Sequence, residues 1–181
     1  MRPAPEVHDA LACLLSYPGE GNGERYPAAA AVLTAACPET AEPLRAFLDG
    51  IGALDAGALE ELYTRTFDNV AERSLEVGWQ LFGENYARGA LLVRFRDLLR
   101  TYDVPERTEL PDHLSHVLPL LGRAPEPLAA AFARNQVHQA TEKMLAGLRA
   151  IESPWTGVLE ATRAVLRMHA SGTPAVTEAT R

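Results

Sequence analysis

The sequence contains only two cysteines among its 181 residues and no long apolar run. Cys13 and Cys37 have no CxxC motif and no second pair beside them, which argues against a disulfide framework or a cysteine-based metal site. Both lie among alanines and leucines, so we expect two buried thiols. No stretch of about 18 apolar residues occurs, and no basic segment leads into an apolar one near the start. These absences predict a cytoplasmic protein without a signal peptide and without stable membrane insertion.

Basic residues are also in deficit. There are 17 Lys and Arg residues against 24 Asp and Glu, which gives a formal net charge of -7. Because no block of Lys or Arg offsets this balance, binding to a phosphate backbone has no electrostatic support, and nucleic acid is not an expected partner. An acidic surface favours a basic peptide instead, although acidic charge also serves solubility in many proteins.

Sustained two-residue alternation, the pattern of a half-buried strand, is missing as well, and apolar residues recur at helical spacing. The pattern predicts one all-α domain over residues 1–170, a single-domain bundle of about eight helices, with a disordered tail at 171–181. We expect helices at about 7–17, 24–36, 41–50, 55–66, 91–102, 111–121, 126–151 and 154–169. Only about 68–83 lacks clear periodicity, and a loop or a short helix at about 74–81 both remain open there.

Aromatic residues make up 7% of the chain, and their main concentration is in its middle. Core packing is the ordinary explanation for such residues. The alternative is an apolar groove that receives the hydrophobic face of a bound peptide, with nearby glycines allowing close backbone approach. The aromatic residues concerned are Tyr63, Phe67, Trp79, Phe82 and Tyr86.

An acidic turn follows, with the sequence Glu109-Leu110-Pro111-Asp112-His113. One interpretation is structural: Pro111 suits the first turn of a helix, and Asp112 near a helix start interacts favourably with free amides and with the helix dipole. The other is functional: Glu109 and Asp112 lie at the edge of a groove and pair with arginines of a bound peptide. The residues alone leave both interpretations open.

Residue patterns of catalysis are missing. His113 and His116 are three positions apart, but no HExxH motif and no third ligand accompany them, so we expect histidines on a helix surface and no metal site. His8, His138 and His169 are interpreted as isolated. No serine lies in a GxSxG context and no phosphate loop is present, so we expect no catalytic residue and no cofactor.

Three segments, in a fixed order, resemble one family: residues 63–68 with the sequence Tyr-Thr-Arg-Thr-Phe-Asp, the glycine-rich residues 78–89, and the acidic turn. The family is the cytoplasmic redox-enzyme maturation chaperones of the NarJ, TorD and DmsD types. The resemblance implies an all-helical protein without catalytic turnover. Such a protein binds the N-terminal peptide of a molybdenum oxidoreductase catalytic subunit, often a twin-arginine signal peptide, and holds the apoenzyme until molybdopterin is inserted.

The resemblance also implies a peptide-binding region. Its residues are Glu109, Pro111, Asp112 and His113, with an apolar wall formed or supported by Tyr63, Phe67, Asp68, Trp79, Phe82 and Tyr86. Residues 76–83 depart from the more aromatic sequence usual in nitrate-reductase-type members, which leaves the client open. Two alternatives remain: a nonenzymatic adaptor or scaffold in such a complex, and a metal- or nucleotide-dependent helical enzyme that uses His113 and His116. The oligomeric state also stays open.

Overall fold

The computed structural model describes residues 2–171. This range contains ten α-helices and no β-strand, only one isolated bridge between Glu76 and His113. The helices are α1 (Pro5–Leu14), α2 (Tyr26–Ala36), α3 (Ala41–Ile51), α4 (Ala56–Thr66), α5 (Val77–Phe82), α6 (Tyr86–Thr101), α7 (Leu114–Arg123), α8 (Glu126–Phe132), α9 (His138–Arg149) and α10 (Thr156–Ser171). The all-α prediction is confirmed. The tail predicted at 171–181 lies outside the described residues, except for Ser171.

The long helix predicted at about 126–151 is one continuous helical run. α8 passes through a π-helical turn, Ala133–Val137, directly into α9. The run buries its apolar face, and the ring of Phe132 packs against that of Phe95 in α6 with centroids 5.4 Å apart. When α8 and α9 are counted as one element, the described residues contain nine helices, close to the eight predicted.

One hydrophobic core connects the main helices. α1 packs against α2 and α7, while α10 packs against α3 and α9. Trp155, just before α10, is fully buried, and the rings of Phe47, Tyr63 and Phe67 surround it with centroids 5.5 to 5.7 Å away. Its indole Nε1 donates a hydrogen bond to the carbonyl of Leu14 at 3.1 Å. Because aromatic rings bury a large apolar area, this cluster joins α1, α3, α4 and α10.

The segment without clear periodicity, about 68–83, contains a 3-10 turn and the short helix α5, so the short-helix alternative is correct. Residues far along the chain fix its backbone. The N–H of Val77 donates to the carbonyl of Asp112 at 2.8 Å, and the N–H of Leu114 donates to the carbonyl of Leu75 at 3.0 Å. A helix of 6 residues is too short to be stable alone, so its pairing with the start of α7 holds α5 in place.

The expectation that His8 and His169 are isolated is wrong. Both are fully buried, and Nε2 of His8 lies 2.9 Å from Nε2 of His169. Nearby, Arg2 donates hydrogen bonds to three carbonyls at the end of α7 and lies 3.3 Å from the carboxylate of Glu126. These polar contacts close the end of the bundle where α1, α7, α8 and α10 meet.

The two cysteines differ in exposure. Cys37 is buried and Cys13 is only partly buried, so the prediction of buried thiols is confirmed for Cys37 alone. Within residues 2–171, no helix combines the length and the apolar character needed to cross a membrane.

Candidate functional site

The acidic turn leads into α7 and places its central carboxylate inside the protein. The side chain of Asp112 is fully buried, and its Oδ2 accepts a hydrogen bond from the N–H of Gly78 at 3.0 Å. The backbone carbonyl of Asp112 accepts a second hydrogen bond, from the N–H of Val77. Asp112 therefore caps the first turn of α5 and not the start of α7, the helix that follows it in the sequence.

Arg88 of α6 covers the same carboxylate. Its Nε lies 3.5 Å from Oδ2 of Asp112, and its guanidinium lies 5.2 Å from the centroid of the Trp79 ring. Burial raises the pKa of Asp112, while the Arg88 charge and the Gly78 amide oppose that rise. Oδ2 of this buried carboxylate thus has partners within the protein, whereas Oδ1 is buried without a hydrogen-bond partner among the described residues. The predicted role of Asp112 as a direct anchor for a peptide arginine does not fit this geometry, which makes it a positioning residue for α5.

Three other carboxylates lie close enough to interact beside this turn. Asp68 follows α4, Glu76 precedes α5, and Glu109 lies in the acidic turn. Burial raises the pKa of Asp68, and Glu76 adds to the rise; burial also raises the pKa of Glu109, with Asp68 and Glu76 adding to it. None of the three forms an ion pair within residues 2–171. We call these three residues the acidic cluster.

Glu76 is the member of the acidic cluster that the sequence did not identify. It lies in the segment that departs from the family pattern, and its side chain accepts a hydrogen bond from the hydroxyl of Ser74. The bridge to His113 brings it to the acidic turn. Such a pairing between distant segments has no local sequence signal, apart from the position of Glu76 in a connection without clear periodicity.

The predicted apolar wall divides into a buried and an exposed group. Tyr63 and Phe67 belong to the core, and the hydroxyl of Tyr63 donates to the carbonyl of Leu15 at 2.8 Å. The acidic cluster lies near this phenol, because all three of its carboxylates raise the pKa of Tyr63 in addition to the larger effect of burial. These two rings therefore support the site from the core and are not available to a ligand.

Trp79, Phe82 and Tyr86 form the exposed group, which we call the aromatic edge. Trp79 is partly buried, whereas Phe82 at the end of α5 is 42% exposed and Tyr86 at the start of α6 is 92% exposed. Glu76 and Trp79 lie one helical turn apart at the start of α5, so the acidic cluster and the aromatic edge are continuous. Neighbouring exposed aromatic side chains are typical of a surface that contacts a partner.

The expectation that His113 and His116 are surface histidines is wrong, because both are buried. Nδ1 of His113 accepts from the N–H of Ser115 at 3.1 Å and caps α7. Burial, and then His116, lower the pKa of His113 to about 3. Nδ1 of His116 donates to the carbonyl of Leu110 at 3.0 Å, so its Nε2 accepts from the N–H of Arg107 at 3.0 Å. Residues 2–171 contain no group of three or more side chains able to hold a metal ion.

The fold has a relative of known structure in a protein from Archaeoglobus fulgidus, described as a candidate redox enzyme maturation protein. Its crystal structure matches with a TM-score of 0.65 at 21% identity, and the match covers 92% of this chain and 96% of that one. At this identity the likeness shows the fold alone. No curated protein sequence matches the chain. The family model described as nitrate reductase delta subunit matches residues 31–161, which include the acidic cluster and the aromatic edge. Because this match spans well over half of the chain, the protein belongs to the nitrate reductase delta subunit family.

Proposed function

We propose that this protein is an assembly chaperone that binds the N-terminal, signal-like peptide of a molybdenum oxidoreductase catalytic subunit and holds the apoenzyme until the molybdopterin cofactor is inserted. Membership of the nitrate reductase delta subunit family supports a chaperone role in redox-enzyme maturation. The observation that carries the peptide-binding part is the acidic cluster, which forms no ion pair among the described residues and is continuous with exposed aromatic side chains. In this proposal the cofactor belongs to the client.

The acidic cluster suits a pair of arginines. Asp68, Glu76 and Glu109 repel one another, and their mutual repulsion contributes to the raised pKa values of Asp68 and Glu109. A guanidinium relieves this repulsion and binds a carboxylate through two parallel hydrogen bonds. Two neighbouring arginines in a peptide therefore match three neighbouring carboxylates, and the net charge of -7 favours the approach of a basic segment.

The aromatic edge suits the apolar part of the same peptide. Large aromatic side chains supply contact area for an amphipathic segment that lies along a groove. Gly83 and Gly89 leave room beside them, since among the described residues an added Cβ at either position meets no atom within 4 Å beyond its chain neighbours and its own helix backbone. A peptide backbone can approach α5 and α6 closely at these two positions.

The other predicted site residues act indirectly. Asp112 fixes the start of α5, His113 caps α7, and Pro111 is buried in the acidic turn that precedes α7. Tyr63 and Phe67 pack in the core next to the acidic cluster. These residues set the positions of the direct contacts, which we assign to Asp68, Glu76, Glu109 and the aromatic edge.

Calorimetric titration with N-terminal peptides of the molybdenum oxidoreductase catalytic subunits from the same organism tests the proposal. The test variant neutralises the acidic cluster with Asp68→Asn, Glu76→Gln and Glu109→Gln. A control variant makes the same change in net charge at three exposed carboxylates that form no ion pair in the described part of the chain, namely Glu6→Gln, Asp49→Asn and Glu61→Gln. We expect saturable binding of one peptide, weakened by at least about tenfold in the test variant and much less in the control.

Equal weakening in both variants would mean that net charge, and not the acidic cluster, governs binding. If the folded native protein bound none of the peptides, leader capture would be wrong, and an adaptor that recognises a folded subunit would replace it. Size-exclusion chromatography with the catalytic subunit separates these functions. A chaperone leaves the subunit once the cofactor is in place, whereas an adaptor stays with the mature enzyme.

A further inference from the structure

A polar concavity apart from the acidic cluster lies between α1, α7 and the segment that joins α6 to α7. Its volume is about 260 Å³. Three arginines and one aspartate line it, namely Arg25, Arg107, Arg123 and Asp9. We call this concavity the arginine cleft.

Two of the three guanidiniums in the arginine cleft have no partner among residues 2–171. Arg123 pairs with Asp9 through two contacts, at 2.7 Å for Nη1 to Oδ1 and 3.0 Å for Nη2 to Oδ2. Arg25 and Arg107 form no ion pair and no side-chain hydrogen bond within the described residues. The cleft therefore carries an excess of positive charge in a protein whose net charge is -7. Such a local excess of positive charge attracts an anion.

The two unpaired arginines are held by separate parts of the fold. Arg25 ends a 3-10 turn in which Nδ2 of Asn22 donates to the carbonyl of Cys13 at 3.3 Å. The backbone of Arg107 is held by buried His116, whose Nε2 accepts from its N–H at 3.0 Å. Since both backbones are fixed before any ligand arrives, binding requires little ordering beyond the two side chains.

The surroundings of Cys13 indicate that the guanidiniums of Arg25 and Arg107 lie near the same part of the cleft. Its thiol lines the cleft, and burial raises its pKa, while Arg25 and Arg107 each oppose that rise. An anion beside Cys13 would therefore interact with both guanidiniums.

We propose that the arginine cleft binds a small oxyanion of the phosphate class between the guanidiniums of Arg25 and Arg107. A guanidinium presents its N–H donors in a planar, fixed geometry that matches two phosphate oxygens. Two guanidiniums together balance the charge of a doubly charged anion. Ser16 and Ser115 also line the cleft. The volume is smaller than the roughly 300 Å³ of the smallest ordinary ligand pockets, and no Phe, Tyr or Trp lines the cleft, so a nucleobase has neither room nor a stacking partner. This site goes beyond the proposed peptide binding and does not rest on it.

Alkylation of Cys13 supplies the readout. The rate of its reaction with iodoacetamide is measured by peptide mass spectrometry in phosphate, in pyrophosphate and in chloride at equal ionic strength. Cys37, which is buried and does not line the cleft, is the internal reference. We expect phosphate and pyrophosphate to slow the alkylation of Cys13 in a saturable way, with chloride having no such effect and Cys37 unchanged. Calorimetry with pyrophosphate then gives the dissociation constant.

Variants connect the effect to the two arginines. Each of Arg25→Gln and Arg107→Gln should weaken pyrophosphate binding by about tenfold, because each removes charge-assisted hydrogen bonds. Arg134→Gln changes an exposed arginine outside the cleft by the same charge and should bind as the native protein does. Thermal unfolding of each variant checks that the fold is retained. Equal protection by chloride, unchanged binding in folded Arg25→Gln and Arg107→Gln proteins, or an equal loss in Arg134→Gln would each overturn the proposal.

Discussion

Nε2 of His8 lies 2.9 Å from Nε2 of His169, although the two residues are 161 positions apart in the sequence. Nδ1 of His8 lies 3.0 Å from the carbonyl of Ala4 and must carry a proton, because a carbonyl only accepts. Neutral His8 then accepts at Nε2 from the N–H of His169. This direction of the hydrogen bond requires His8 to stay uncharged, and burial lowers its pKa from 6.5 to about 4.

The His8 contact predicts a loss of stability in mild acid. The unfolded chain takes up a proton on this histidine near pH 6.5, whereas the folded protein does so only near pH 4. The stability that depends on neutral His8 is therefore complete above pH 6.5, and about 3 kcal/mol of it is lost as the pH falls to 4. Urea unfolding at a series of pH values should show a shallower pH dependence for His8→Gln than for the native protein. His138→Gln, at a partly exposed position, is the control and should keep the native slope. An unchanged slope in His8→Gln would contradict this account.

Gly78 and Gly89 should respond to alanine in opposite directions. A Cβ on Gly78 would lie 2.6 Å from Oδ2 of buried Asp112, whereas a Cβ on Gly89 meets no described residue outside its own helix within 4 Å. We expect Gly78→Ala to lose about 1–3 kcal/mol through overpacking, and Gly89→Ala to gain up to about 1 kcal/mol from helix propensity. The thermal midpoint should move by about 2–4 °C for each kcal/mol in a chain of this size. A gain for both variants would mean that Asp112 does not approach α5 this closely.

Helical spacing is sufficient to predict most of the fold. Leu91, Phe95 and Leu99 fall on one face at intervals of four residues, and the structure buries all three. Periodicity identifies which face of a helix is buried, but it does not identify which helices meet. The contact between His8 and His169 joins the two ends of the described chain, and neither residue has a local motif that predicts it.

The sequence indicates that the acidic turn precedes a helix, but it does not indicate which distant segments the turn contacts. The acidic turn marks a helix start, yet the helix that Asp112 caps is α5, because the bridge between Glu76 and His113 pairs two segments distant in sequence. The same pairing adds Glu76 to the acidic cluster. The exposure of a single tyrosine cannot be predicted from the sequence either: the structure buries Tyr63 and exposes Tyr86.

Two substitutions of Asp112 distinguish a positioning role from a direct one. Asp112→Ala removes the acceptor for the buried N–H of Gly78 and should lose about 1–3 kcal/mol of stability. Asp112→Asn keeps an acceptor oxygen for this N–H but leaves the Arg88 guanidinium without its buried counterion, so it should lose stability, though less than Asp112→Ala does. In calorimetry, Asp112→Asn should bind the client peptide as the native protein does, whereas Asp68→Asn should bind it more weakly. A folded Asp112→Asn protein that lost as much affinity as Asp68→Asn would restore Asp112 as a direct anchor.

His116 controls the segment that carries both Arg107 and Glu109. Its two ring nitrogens bond to the N–H of Arg107 and the carbonyl of Leu110, so His116→Leu releases both while keeping an apolar side chain in the core. Hydrogen exchange of the Arg107 amide should accelerate by about tenfold, since one hydrogen bond of about 1–1.5 kcal/mol is lost, while amides in the middle of α9 keep their rates. Phosphate should then protect Cys13 less from alkylation, because the backbone that carries the Arg107 guanidinium is no longer held in place.

His138→Leu is the matched control. Faster exchange of the Arg107 amide with undiminished protection of Cys13 would show that anion binding does not depend on this arginine. Faster exchange together with weaker protection of Cys13 would establish that buried His116 organises the arginine cleft from within the core.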